Sequence, residues 1–191
     1  MNARWERSLG GAAEVQAQAV RAALPRLETS RLTLRAPEPG DFDAYAEILT
    51  TGRGVHIGGP FSRKAAWLDF CSVVANWVLH GIGLWTIEMR DTGIIQGFVL
   101  ICLEYGDPEP ELGFLLLEEA EGKGIAREAA EAARDHALNT LGWDSIASFI
   151  AAGNTRSKQL VERMGAKLQT DGMLPGEPTL VYRHIKQEEL A

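Results

Sequence analysis

The chain has 191 residues, 46% hydrophobic and 24% charged, the proportions of a globular protein long enough to bury one core. Its formal net charge of −7 argues against nonspecific binding to nucleic acid or to an anionic membrane surface, and suits a cationic or amine ligand. Cys71 and Cys102 lie in apolar surroundings without metal-ligand spacing, so no disulfide framework and no metal site is expected. Both read as buried free thiols of a cytoplasmic protein. No apolar run reaches the ~18 residues of a membrane span. The N-terminal stretch lacks the compact apolar segment of a signal peptide.

Residues 3–24, rich in Ala, Gln, Glu and Arg, predict a helical extension that ends before Pro25, with one domain over residues 26–191. Arg31-Leu-Thr-Leu-Arg35 alternates and predicts a first strand. A helix follows over residues 39–50 with Asp41 near its start, then a glycine-rich loop carrying His56. Ser62 caps a second helix whose predicted apolar face is Trp67, Phe70, Cys71, Val74 and Val78. Residues 84–89 and 94–103 form a hairpin around Asp91-Thr-Gly93. An acidic, proline-broken loop leads to an apolar strand that starts at Glu111.

A glycine turn, Gly122-Lys123-Gly124, opens a helix predicted over residues 124–141, with Ala126, Ala130, Ala133 and Ala137 along one stripe. A strand over 145–151, a short helix over 154–164 ended by Gly165, and strands over 166–170 and 179–185 complete the chain. This order predicts an α/β or α+β fold whose sheet is only partly parallel.

The strand–glycine turn–helix unit is the most informative stretch. Backbone N–H groups at such a turn, aimed from a helix N-terminus, suit a phosphorylated ligand. Lys123 and Arg127 add positive charge. The turn is not a dinucleotide fingerprint, because Arg127 stands where a third glycine belongs. Nor is it a P-loop, because Lys123 is followed by Gly124 and not by Ser or Thr.

One strand later comes Ile150-Ala-Ala-Gly-Asn154-Thr-Arg-Ser157-Lys-Gln-Leu-Val-Glu-Arg-Met-Gly165. With both motifs in this order, the chain resembles the Gcn5-related N-acetyltransferases (GNAT), closest to their ribosomal-protein N-terminal acetyltransferase branch. Arg31-Leu-Thr-Leu-Arg35 with Asp41-Phe42 is similar to that branch's opening. The resemblance implies a mixed, centrally splayed sheet of about seven strands flanked by helices. It also implies acetyl-CoA as cosubstrate, an amine acceptor, and no metal.

By position, the resemblance places the pyrophosphate at Glu121, Gly122, Lys123, Gly124, Ile125, Ala126 and Arg127, with Glu121 where Gln or Arg is commoner. Phe114, Leu115 and Leu116 would offer backbone groups to the pantetheine arm and its thioester, and Asn154 would meet that arm. Glu111 is the first candidate for general base, ahead of Glu104 and His56. The family's usual tyrosine acid falls at Val161, which cannot protonate a thiolate; the resemblance to the ribosomal branch would give that role to Ser157, the alternative being that Ser157 only hydrogen-bonds cofactor or backbone near the helix start. The acceptor, a small amine or a protein N-terminus, stays open, as does a homodimeric state. No nucleic-acid or membrane partner is expected. A noncatalytic CoA-binding module is the alternative, favoured by Val161 and Glu121. A nicotinamide-dependent oxidoreductase is disfavoured by Arg127 and the late position of the turn.

Overall fold

The computed structural model describes residues 3–169 and 179–186. Its helices are α1 (Gly11–Ala22), α2 (Phe42–Leu49), α3 (Arg63–His80), α4 (Ile125–Asp135) and α5 (Thr155–Arg163). Its strands are β1 (Leu27–Glu28), β2 (Leu32–Arg35), β3 (Leu84–Met89), β4 (Ile95–Cys102), β5 (Glu111–Leu116), β6 (Ser145–Ala151), β7 (Lys167–Gln169) and β8 (Thr179–Ile185). They form one sheet in the order β1-β2-β3-β4-β5-β6-β8-β7. Among the described residues only β5 and β6 pair in parallel, because α4 carries the chain back across the sheet between them.

The helices cover the two faces of the sheet. On one, Phe42, Tyr45 and Leu49 of α2 and Phe70 and Val73 of α3 pack on Leu84, Phe98, Leu100 and Cys102. On the other, Ala129, Ala130 and Ala133 of α4 lie against Leu32, Ile87, Val99 and Leu112. Small side chains let this helix sit close to the strands, so β5 and the turn before α4 are fixed by a dense core. Arg35 anchors the first face by a forked pair of bonds to the buried Asp41, at 2.7 and 2.8 Å. Asp41 also accepts from Thr86 Oγ1 at 2.7 Å and from the Glu38 N–H at 2.9 Å.

The described residues form eight strands, in keeping with the expected sheet of about seven; the addition is the two-residue β1, which pairs with Leu34 and Thr33 and is too short to alternate. Several sequence expectations change. The helix predicted to residue 141 leaves α-geometry at Asp135 and finishes as a wider π-turn, His136–Thr140. The apolar face of α3 is rotated: Val78 is 79% exposed and Cys71 is exposed, while Ala66, Phe70, Val73, Asn76 and Trp77 are buried. Asn76 explains the shift. Its Nδ2 donates to the Ser72 carbonyl and its Oδ1 accepts from the Leu103 N–H, so a polar residue occupies the core-facing stripe. Of the two thiols, only Cys102 is buried. No residue of α1 is buried. Residues 170–178, between the last two predicted strands, lie outside the described residues. Among those described, no helix is long and apolar enough to cross a membrane.

Candidate active site

β5 and β6 share one ladder position, Glu111 opposite Ala147. One residue further, the Ser148 hydroxyl donates to the Leu112 carbonyl at 2.7 Å, a side-chain bond where the next ladder bond would fall. Toward Leu116 the strands no longer pair. The Leu117 N–H donates to the Gln96 carbonyl at 3.0 Å, which sets the alternation along β5. Its odd-numbered peptide groups bond β4, and those of Leu112, Phe114 and Leu116 face β6. Of the three sequence-predicted strand residues, Phe114 and Leu116 therefore present peptide groups to the wedge, while Leu115 turns its own toward β4.

Ser148 is oriented by a buried neighbour. Its oxygen, donating to Leu112, can accept only from the His184 Nε2, 3.2 Å away. Burial, with the Arg134 charge second, pushes His184 down to about 4, so it stays neutral.

At the open end, Gly122 and Gly124 adopt φ of +71° and +77°, the left-handed region that favours glycine. Gly124 caps α4 with no side-chain oxygen, so the first-turn amides of α4 have no side-chain acceptor. Arg31 ties this turn to the sheet, donating to the Lys123 carbonyl at 3.1 Å and to Glu128 at 2.7 Å. Lys123 and Arg127 are exposed, and Arg127 pairs with Glu131 at 2.8 Å. Glu121 forms ion pairs with both Arg53 and Arg156.

On the far lip, Asn154 caps α5 by accepting from the Ser157 N–H at 3.1 Å. The cap holds the half-buried Ser157 in the first helical turn. Val161 is fully buried with Ile150, Ala166 and Tyr182.

Carboxylates gather at the closed end. Burial, then the Asp107 and Glu104 charges, push the Glu111 carboxyl up to about 7, against smaller opposing bonds from the Phe149 N–H and Cys102. The Cys102 Sγ stands 3.9 Å from Glu111 Oε1, and burial and nearby carboxylates hold that thiol well above its ordinary range. Desolvation raises both Asp69 and Glu104, the latter also through the Asp69 and Asp107 charges. Tyr45 donates its hydroxyl to Asp69 at 2.6 Å. His56 is exposed and sits on the other side of the wedge, where a methyl group on Gly153 would lie 3.8 Å from its ring.

Sequence reasoning did not single out Tyr45, Asp69 or Arg53. Each acts through a partner distant in sequence, and no local motif marks them.

The sheet is thus parted at one parallel joint, with the peptide groups of Phe114 and Leu116 turned into the gap and a glycine turn at its mouth. Residues 31–167 match the family described as acetyltransferase (GNAT) domain, and the chain belongs to that family. It is similar to an acetyltransferase of known structure from Agrobacterium tumefaciens, with 37% identity and a TM-score of 0.82 over 86% of this chain and 96% of that one. It is 28% identical to the uncharacterised protein YkkB of Bacillus subtilis, over 82% of this chain and 94% of the relative. Its fold also matches that of RimL, a ribosomal L7/L12 alpha-N-protein acetyltransferase solved with coenzyme A. That match has a TM-score of 0.67 at 15% identity, over 84% and 98% of the two chains.

Proposed function

We propose that this protein moves an acetyl group from acetyl-CoA directly to a primary amine while both are bound. The observation that carries the reading is the wedge itself, with the Glu111 carboxyl at its joint, pushed up to about 7 by burial, and the N–H groups of Phe114 and Leu116 turned into the gap along the same strand. RimL, of the same fold, is described with coenzyme A and as an N-acetyltransferase, which supports the same donor here.

The donor fits the residues present. Gly122 and Gly124 clear room for phosphate oxygens, the first-turn amides of α4, from Ile125 to Arg127, supply donors, and Lys123 adds charge. Acetyl-CoA brings an acetyl group already activated as a thioester. The chain supplies the rest. An amine near neutral pH arrives as an ammonium ion, drawn toward Asp69, Glu104, Asp107 and Glu111. Glu111 takes its proton, directly or through one water, and a group titrating at about 7 is matched to that task. The N–H groups of Phe114 and Leu116 stabilise charge that builds on the acetyl oxygen. As the tetrahedral adduct collapses and its C–S bond breaks, the nitrogen gives up its second proton, and Ser157, in the first turn of α5, relays that proton to the departing sulfur. Cys102 is a poor nucleophile, its thiol held protonated by burial, which favours direct transfer over an acetylated protein.

The noncatalytic alternative rests on Val161, whose buried side chain leaves the usual acid position empty of a proton donor. Turnover by the unaltered protein separates the two, and Ser157→Ala tests the acid. A coenzyme A thiol leaves readily, so the transferase reading expects kcat to fall by about 10-fold, less than the ~10²–10⁴-fold of a full acid–base catalyst.

The primary test is thermal stability with acetyl-CoA, CoA and NAD, followed by thiol release against small amines and N-terminal peptides. We expect stabilisation by both CoA species and none by NAD, with turnover on a cationic acceptor. Stabilisation without turnover across both acceptor classes would favour the binding module. No response to either CoA species would overturn the reading.

A further inference from the structure

The loop between α2 and α3 crosses the mouth of the wedge. Arg53, in its 3-10 segment Gly52–Ile57, donates to the Leu116 carbonyl through Nη2 at 2.9 Å and Nε at 3.3 Å. That carbonyl belongs to the open edge of β5. The same guanidinium pairs with Glu121, and the other oxygen of Glu121 pairs with Arg156 from the first turn of α5. Three residues along, His56 lies over Gly153, on the β6 side. One short loop thus touches both lips of the opening.

Glu121 is out of place on charge grounds alone. A carboxylate at the edge of an anion-seeking turn repels a phosphate unless it is neutralised. Here two guanidiniums neutralise it, and the group of three keeps one net positive charge. The Arg53 side chain is only 22% exposed, against 82% for Arg156, so its guanidinium is already ordered at the mouth. An ordered fork loses little freedom when it takes a phosphate oxygen.

We propose that Arg53 is a ligand for the pyrophosphate of the acyl carrier, held in readiness by Glu121 and the Leu116 carbonyl. When the carrier binds, the guanidinium exchanges Glu121 for phosphate oxygens and frees Leu116 to bond the carrier's amide arm. This assignment rests on the acetyl-CoA reading above. It makes the Gly52–Ile57 loop part of the donor site, where the sequence had offered from this loop only His56 as a candidate base. Arg156, held by the same carboxylate but exposed, is a secondary contact.

The test compares Arg53→Ala and Arg53→Lys with the unaltered protein, using CoA binding by calorimetry and turnover with S-acetylpantetheine, a donor that lacks the phosphates. Arg53→Ala should weaken CoA binding about 10–100-fold, the range of a lost charge-assisted bond. It should leave kcat/KM for S-acetylpantetheine unchanged or higher, and flatten the dependence of CoA affinity on salt. Arg53→Lys, a point charge without the fork, should fall between. Equal losses with both donors, or no loss with either, would overturn the assignment while leaving the acetyl-CoA reading intact. Failure of the unaltered protein to bind CoA would overturn both.

Discussion

Glu111→Gln is expected to lower kcat about 10²–10⁴-fold, the range for loss of a positioned general base, with CoA affinity little changed. The substitution keeps the shape of the side chain and removes its charge. In the unaltered protein kcat/KM should rise with pH through about 7, as the carboxyl loses its proton. The glutamine variant should lack that limb, and a profile with the limb intact would remove Glu111 from the role. The same residue makes a stability prediction of opposite sign. Its folded carboxyl titrates at about 7 against an ordinary 4.5, so the folded protein holds that proton more tightly than the unfolded chain. This contribution to stability is complete below about 4.5 and is lost as pH rises through about 7. A neutral amide cannot ionise. Glu111→Gln should therefore be the more stable protein at pH 8, by at most about 3 kcal/mol, with the gain fading below pH 5. Denaturant titrations at the two pH values measure it. A variant that is inactive and more stable only at high pH marks a charge kept for chemistry at a cost to the fold.

What the sequence made legible follows the range of the interactions. Glycines that require positive φ, such as Gly122 and Gly124, announce a turn by themselves. Strands β3, β4 and β6 follow from runs of apolar residues bounded by turn formers. The Arg35–Asp41 fork spans six residues and was visible as part of an opening motif. The α3 face was misread because Asn76 is satisfied by two backbone partners, one of them Leu103, from beyond the helix. Hydropathy counts Asn76 as polar and therefore exposed. Tyr45 and Asp69 meet across two helices, and Arg53 reaches Leu116 and Glu121 across more than sixty positions. Such pairings depend on the packing of the whole sheet. Glu111 was proposable from its position, but its value as a base comes from burial and from Asp107 and Glu104 beside it, which a linear pattern does not report.

Gly97→Ala is expected to be the most disruptive single methyl group, destabilising the protein by about 3 kcal/mol or more. Gly97 lies in β4 with φ of +144°, and the register with β3 slips beside it, between Ile87 and Glu88. A Cβ there would stand 2.2 Å from the Leu115 carbonyl oxygen and 2.8 Å from the Leu116 Cα. Both are backbone atoms in the middle of a sheet, so no side chain can rotate away. Either β4 straightens or β5 moves outward. The second course pushes Leu116 toward the wedge, so molecules that still fold should also bind CoA more weakly. Gly93→Ala is the control. Gly93 has a φ of +68° in the neighbouring hairpin, but a Cβ there meets nothing within 4 Å. It should cost only the strain of a left-handed residue, about 1 kcal/mol, and leave CoA affinity alone. Equal losses at the two sites would mean that backbone strain, and not the close approach of β4 to β5, dominates at Gly97. A much larger loss at Gly97 together with weakened CoA binding would show that the missing side chain is what lets β5 sit close to β4 while its other edge stays open.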